Sequence, residues 1–132
     1  MHKKCNLWYL IRGSVLRICW LELNQKYDYE PFFDSLTNRE QKKVLYMLNR
    51  ITNFGVNWSQ EKCKKIDDRI FEIKAGQIRI PFFYHKKYRN YIVITHMFRK
   101  KQDEWPPGEL NRANKRMKIA ETLKPMEPQG GS

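Results

Sequence analysis

Three apolar runs late in the chain limit its folding options more than any other feature: RIFEIKA (69–75), QIRIPFFYH (77–85) and NYIVITHMF (90–98). Gly76 separates the first two and the charged turn KKYR separates the last two. Each run is too short for a helix of ordinary length and is rich in β-branched and aromatic residues, so the three are expected to form an antiparallel meander. Side chains alternate across a strand, so Ile78, Ile80, Phe82 and Tyr84 share one face, and Gln77, Arg79, Pro81, Phe83 and His85 share the other. If the first set is core, Arg79 points away from it. Glu72 and Lys74 share a face in the same way. Pro81 has no amide hydrogen for a ladder, which predicts an edge, a bulge or an interruption at that point.

Upstream, residues 18–24 (ICWLELN) have the composition of a strand, whereas residues 1–17 read as either an extra strand or a loose extension. YEPFFDSL predicts a short helix after Pro31. Thr37 opens TNRE, a capping box in which Thr37 and Glu40 satisfy each other's amides at the start of the main helix. Along that helix Val44, Leu45, Met47, Leu48, Ile51 and Phe54 recur at helical spacing and are expected in the core, with Gly55 as a left-handed cap. A last helix is expected from about Pro107 to Glu121, with Leu110, Ala113, Met117 and Ala120 on one face and Arg112, Lys115, Arg116 and Lys118 on the others. The fold class is therefore α+β: a small twisted antiparallel sheet, an N-terminal helical hairpin on one face and a C-terminal helix. Residues 1–17 form an extension, 18–121 the domain and 122–132 a disordered tail.

Lys and Arg number 26 against 14 Asp and Glu, a formal net charge of +12, in a chain that is still 41% hydrophobic. This is a folded basic protein, and the excess favours a polyanion over a membrane or a neutral metabolite. Between Lys62 and Lys101, 12 cations face 3 acids, a local imbalance that suggests a phosphate-binding face. Cys5, Cys19 and Cys63 are odd in number and widely spaced, which points to a reducing cytoplasm and no structural zinc. Arg12 and Arg17 interrupt the apolar N-terminus before the roughly 18-residue run that a membrane span needs, so a soluble protein is expected.

Glu72, Arg79, ITHMFRKK with His96, Phe98, Lys100 and Lys101, then Pro106 or Pro107, and ELNRANKR with Glu109, Ala113 and Arg116 carry a resemblance in their order. The stretch 69–121 resembles the second half of the RelE/HigB-like toxins of type II toxin-antitoxin systems, in particular their phage-derived branch. YEPFFDSLTNREQKKVLYMLNRITNFG is similar to the helical hairpin of that family, so the match spans about residues 18–121. The chain departs from the pattern at Thr95-His96-Met97, where Leu-His-Gly is usual, at Pro81, and over the first 17 residues.

The resemblance implies an mRNA interferase, a ribosome-dependent endoribonuclease held silent by a cognate antitoxin that is acidic or of the helix-turn-helix type. It implies a RelE-like fold, no cofactor and no metal. RNA cleavage by the neighbouring 2′-hydroxyl needs a group to take its proton, a cation to stabilise the phosphorane and an acid for the departing 5′-oxygen. Arg79 suits the second task because its planar fork spans two phosphate oxygens. Lys100, Lys101 or a protonated His96 suit the others, and such donors are each worth about 2–4 kcal/mol in a transition state. Glu72 is either a base or an orienter of Arg79 or Lys74, and Arg79 is either catalytic or half of an ion pair with Glu72. His96 falls by alternation with Ile92, Ile94 and Phe98, so a buried histidine competes with a catalytic one. Lys74, Lys86, Lys87, Arg89, Arg99, Arg112, Lys115 and Arg116 are the candidate RNA-binding cations, although turn lysines often do no more than solvate a surface. Trp105 and Tyr84 either stack on a base or cover the sheet. The same fold also serves gyrase-poisoning ParE-type toxins and would serve a non-catalytic RNA- or antitoxin-binding relic, so the fold alone does not settle the activity.

Overall fold

The computed structural model describes residues 5–23, 29–57, 59, 62–101 and 104–126, with backbone alone at 29 and 30. Its elements are β1 (Cys5–Arg12), β2 (Arg17–Leu23), α1 (Tyr29–Ser35), α2 (Asn38–Phe54), β3 (Cys63–Lys65), β4 (Phe71–Ala75), β5 (Ile78–Tyr84), β6 (Tyr91–Ile94), β7 (Phe98–Arg99), α3 (Glu109–Ala120) and β8 (Pro125–Met126). All eight strands join one sheet in the order β3-β4-β5-β6-β2-β1-β8, and β7 pairs with β5 beyond the end of β6.

The expected meander forms: β4 pairs antiparallel with β5, and β5 antiparallel with β6. The expectation of a wholly antiparallel sheet does not hold, because β2 runs parallel to β6 and β1 parallel to β8. The chain between β2 and the meander carries both α1 and α2, and a helical crossover of that kind is what allows a parallel neighbour. The N-terminal segment is an extra strand, with β1 paired along β2. The polar, lysine-rich chain between α2 and β4, where the sequence offers no strand pattern, also contains a strand, β3, at the sheet edge. Residues 127–132 of the expected disordered tail lie outside the described residues.

The helices cover both faces of the sheet. Val44, Met47, Leu48 and Ile51 of α2 pack on Ile18, Trp20, Ile73, Ile78, Ile80, Phe82, Ile92 and Ile94. On the other face Ala113, Met117 and Ala120 of α3 pack on Leu7, Cys19, Leu21, Phe83 and Val93. Burial on both faces explains why the central strands are nearly continuous apolar runs. In place of a helical hairpin there is a seven-residue α1 followed by the much longer α2. Two residues expected in the core, Leu45 and Phe54, are exposed instead, at 48% and 72%. Gly55 ends α2 at φ 87° and ψ 175°, so the cap has the positive φ that glycine favours but passes directly into extended chain.

The capping box forms as expected: the Glu40 amide donates to Thr37 Oγ1, and the Thr37 amide donates to Glu40 Oε1. The Glu40 carboxylate also accepts two hydrogen bonds from Arg99, at 2.6 and 3.1 Å, tying the start of α2 to the strand β7. The Arg99 guanidinium, and after it the Thr37 amide, lower the Glu40 pKa from 4.5 to about 2. At the other end of α2 the β1–β2 turn docks on the last turn of the helix: the Thr52 carbonyl accepts from the amides of Val15 and Leu16, and the Asn53 carbonyl accepts from Ser14 Oγ. Gly13 lies so close that a Cβ there would sit 2.2 Å from the Thr52 oxygen.

Gly13→Ala is expected to push the turn off α2 and destabilise the fold by about 2–3 kcal/mol, an overpacking cost read from the urea midpoint. A depressed carboxylate pKa contributes stability that is present above its unfolded value and fades as pH falls through the folded one. The stability advantage of wild type over Glu40→Gln is therefore expected to hold above about pH 4.5 and to vanish by about pH 2. Urea titrations of both proteins across that range provide the check.

Candidate functional site

The proline in β5 organises the surroundings of the candidate residues. Two residues of β5, Ile80 and Pro81, lie opposite three residues, Thr95–Met97, between the last pair of β6 and the first pair of β7. The count is that of a β-bulge. The Thr95 amide donates to the Pro81 carbonyl, but proline has no amide hydrogen to return the bond that such a pair would exchange. The Thr95 carbonyl instead accepts from Arg116 Nη1 of α3, at 3.0 Å. The extra residue shifts the alternation by one, so Met97 and not His96 joins Ile92 and Ile94 in the α2 core.

His96 is accordingly displaced from the position that simple alternation gives it. It is 1% exposed, stacks on Phe98, lies 2.9 Å from Thr95 Oγ1 through Nδ1, and has Nε2 3.3 Å from Glu109 Oε1. A substrate reaching the surface does not meet it. Arg116, expected on an RNA-binding surface, is also buried, with its guanidinium committed to the bulge.

Beyond the bulge, β7 brings Lys100 to the β4–β5 turn, where its amide donates to the Gln77 carbonyl. Glu72, Arg79, Lys64 and Lys74 surround this position closely enough to act on the Lys100 ammonium electrostatically. Burial is the main influence and lowers the Lys100 pKa, with the neighbouring cations acting in the same direction and Glu72 opposing them. Glu72 has no solvent exposure. Its Oε1 accepts from Trp105 Nε1 at 2.7 Å and lies 3.6 Å from Arg79 Nε, while Oε2 is 3.8 Å from the Lys64 ammonium. Trp105 packs edge-on against Phe98, so both its ring and its indole nitrogen are engaged within the fold. Tyr84 is likewise engaged, edge-on to Phe71 and Phe82.

Arg79 points away from the α2 core, as the alternation predicts, and pairs across the strands with Lys74. Its Nη1 donates to the carbonyls of Gly76, at 2.6 Å, and Ile78, at 3.1 Å, which fixes the guanidinium at the turn. Glu72 and Arg79 thus form the ion pair that the sequence left open, alongside whatever else Arg79 does. Lys101 lies apart from Lys100, exposed in a cleft of about 460 Å3 with Arg99, Glu104, Trp105, Pro106 and Pro107.

The other cations divide by position. Lys86, Lys87 and Arg89 follow the far end of β5, about 20 Å along the strand from Arg79 at 3.3 Å per residue, so they do not join its cluster. Lys86 lies 3.9 Å from Glu121. Arg99 is held by Glu40, Arg112 lies 3.9 Å from Glu109, and Lys115 is exposed on α3. Lys64 is one of the cations of the 62–101 surplus, and its place beside Glu72 follows from the unpredicted strand β3. Among the described residues no three His, Cys, Asp or Glu side chains are grouped to hold a metal ion, and no helix is long and apolar enough to cross a membrane.

Removing the Arg116 donor leaves a buried carbonyl unpaired, which costs about 1–3 kcal/mol. Arg116→Met is expected to lower stability by that amount and Arg116→Lys by less, as measured by urea unfolding. Equal stability of Arg116→Met and wild type would show that the bulge needs no donor from α3.

No curated protein matches the sequence. The family described as Phage derived protein Gp49-like (DUF891) matches residues 31–118, two thirds of the chain, from within α1 through most of α3. The matched span contains the main helix, the meander with its bulge, and the Glu72–Arg79–Lys100 cluster, so the chain belongs to the Gp49-like family of phage-derived proteins.

Proposed function

We propose that this protein is a toxin of the RelE/HigB type that cuts mRNA on the ribosome by attack of a 2′-hydroxyl on the adjacent phosphate. Family membership supports the toxin reading, since Gp49-like proteins are associated with RelE-like toxins. The observation that carries the chemistry is the cluster at the β4–β5 turn. There an arginine anchored through Nη1 stands beside a lysine whose proton affinity burial lowers.

In this mechanism the 2′-oxygen forms a bond to phosphorus, the bond to the 5′-oxygen breaks, and the products are a 2′,3′-cyclic phosphate and a 5′-hydroxyl. Arg79 Nη2, which has no protein partner among the described residues, meets the phosphorane oxygens. Its fork stays charged throughout, so it stabilises the charge that builds up in the transition state. Lys100 as a neutral amine takes the proton of the 2′-hydroxyl and, as the ammonium so formed, returns it to the departing 5′-oxygen, a role favoured by its lowered pKa. Glu72 is closed off from solvent and acts as the orienter of Arg79 rather than as the base. Lys101 and the exposed hairpin cations Lys86, Lys87 and Arg89 serve docking, and His96 and Arg116 serve the fold. The ribosome supplies substrate geometry that one small domain cannot impose alone. A surface of charge +12 calls for an antitoxin that is acidic or covers the cationic face.

Arg79→Ala is expected to reduce single-turnover cleavage on programmed ribosomes by about 100- to 1,000-fold, the effect of losing one transition-state donor. Ribosome binding should change little, since one cation of 26 is removed. Arg79→Lys keeps the charge without the fork and is expected to fall well below wild type. Wild-type cutting by Arg79→Ala, or equal cutting of naked mRNA, would overturn the proposal. Growth arrest in bacteria, relieved by co-expressing the antitoxin, is the cellular check.

A further inference from the structure

The β4–β5 turn opens toward a second surface as well. A cleft of about 730 Å3 runs between the turn and the solvent side of α2, lined by Lys42, Lys43, Tyr46, Met47, Lys62, Lys74, Gly76 and Arg79. Five of these eight residues are cationic and none is acidic. Its size falls within the roughly 300–1,000 Å3 of sites that hold small ligands. Lys42, Lys43 and Lys62 make no ion pair among the described residues and are exposed.

Aromatic surface is interleaved with this charge. Tyr46 lies one turn along α2 from Lys42 and Lys43 and is 56% exposed. Arg50 sits between Tyr46 and Phe54, with its guanidinium 5.8 Å from one ring centre and 4.9 Å from the other. A groove of cations beside an exposed ring fits a chain whose phosphates repeat and whose bases are unstacked, because every base presents a face for stacking. A duplex keeps its bases stacked and offers the ring nothing.

We infer that single-stranded RNA passes through this cleft on its way to Arg79, with phosphates on Lys42, Lys43 and Lys62 and a base stacked on Tyr46. The inference rests on RNA as the ligand of the Arg79 site but does not require that the RNA be cut. Arg79 belongs to both the cleft and the proposed reaction cluster, so the cleft is the approach to that centre. The side chains involved lie largely outside the core, and each can be replaced without disturbing the packing.

The test is fluorescence anisotropy of the full chain with a labelled oligouridine over a series of salt concentrations. Tyr46→Ala is expected to weaken binding about tenfold with no change in salt slope, the mark of a lost stacking partner. Lys42→Ala with Lys43→Ala is expected to reduce the slope by about 1.4, at about 0.7 per phosphate contact on a single strand. Lys118→Ala with Lys124→Ala removes the same charge from outside the cleft and is expected to leave most of the slope in place. Circular dichroism confirms that each variant is folded. The inference is overturned if Tyr46→Ala binds as wild type, if the two lysine pairs behave alike, or if duplex RNA of equal length binds as well as the single strand. Cleavage is read separately: Tyr46-dependent RNA binding by a protein that cuts nothing on ribosomes would sink the proposed function and leave the cleft standing.

Discussion

The missing amide hydrogen of Pro81 is the constraint on which the rest of the site depends. A central strand bonds both neighbours, and a residue that cannot donate leaves the carbonyl opposite without its partner. The Thr95 carbonyl is that group, and Arg116 reaches across from α3 to satisfy it. The strand that would continue β6 gains a residue, bulges and resumes as β7. Met97 turns into the α2 core, His96 is enclosed beside Glu109, and Lys100 arrives at the β4–β5 turn with Glu72 and Arg79 nearby.

Electrostatics at that turn follow from burial. Glu72 is a carboxylate with no exposure, and such a group is costly unless its charge is matched. Trp105 donates to it, and Arg79 and Lys64 stand close. One buried anion thus holds an arginine in place while the cations around it still outnumber the acids. Burial depresses the proton affinity of Lys100, the cations act in the same direction, and their excess leaves positive charge facing outward. At the start of α2, by contrast, the Arg99–Glu40 pair is locally balanced and secures a helix terminus against β7. The same residue types therefore do different work according to whether their partner is used up within the fold.

Three other parts of the fold were hidden for physical reasons. β3 was missed because Cys63–Lys65 is short and polar, an edge strand with little to bury. Leu45 and Phe54 were expected in the core because helical spacing identifies an apolar stripe but not its width; α2 buries a narrow one, formed by Val44, Met47, Leu48 and Ile51. The parallel pairing of β2 with β6 depends on where the crossover returns the chain, which no local pattern encodes. A buried His96 was one of the two readings the alternation offered, but the bulge set it on the face opposite Ile92 and Ile94, and the burial of Arg116 was hidden because only the fold brings the Thr95 carbonyl to α3.

The sequence by itself determined what depends on neighbours along the chain. Alternation in RIFEIKA and QIRIPFFYH set Glu72, Lys74 and Arg79 opposite the core residues Ile73, Ile78 and Ile80, and Thr37 with Glu40 set the start of the main helix. The lack of a donor at Pro81 was equally legible, as was the surplus of cations between Lys62 and Lys101. Tertiary structure alone decided which cations meet. Lys86 and Lys87 lie seven and eight residues beyond Arg79 but at the far end of its strand, whereas Lys42 and Lys43, more than thirty residues away, share a cleft with it. A straight strand separates residues that are close in sequence, and packing a helix across the sheet brings distant ones together, so the charge pattern became a surface only once α2 lay against the β4–β5 turn.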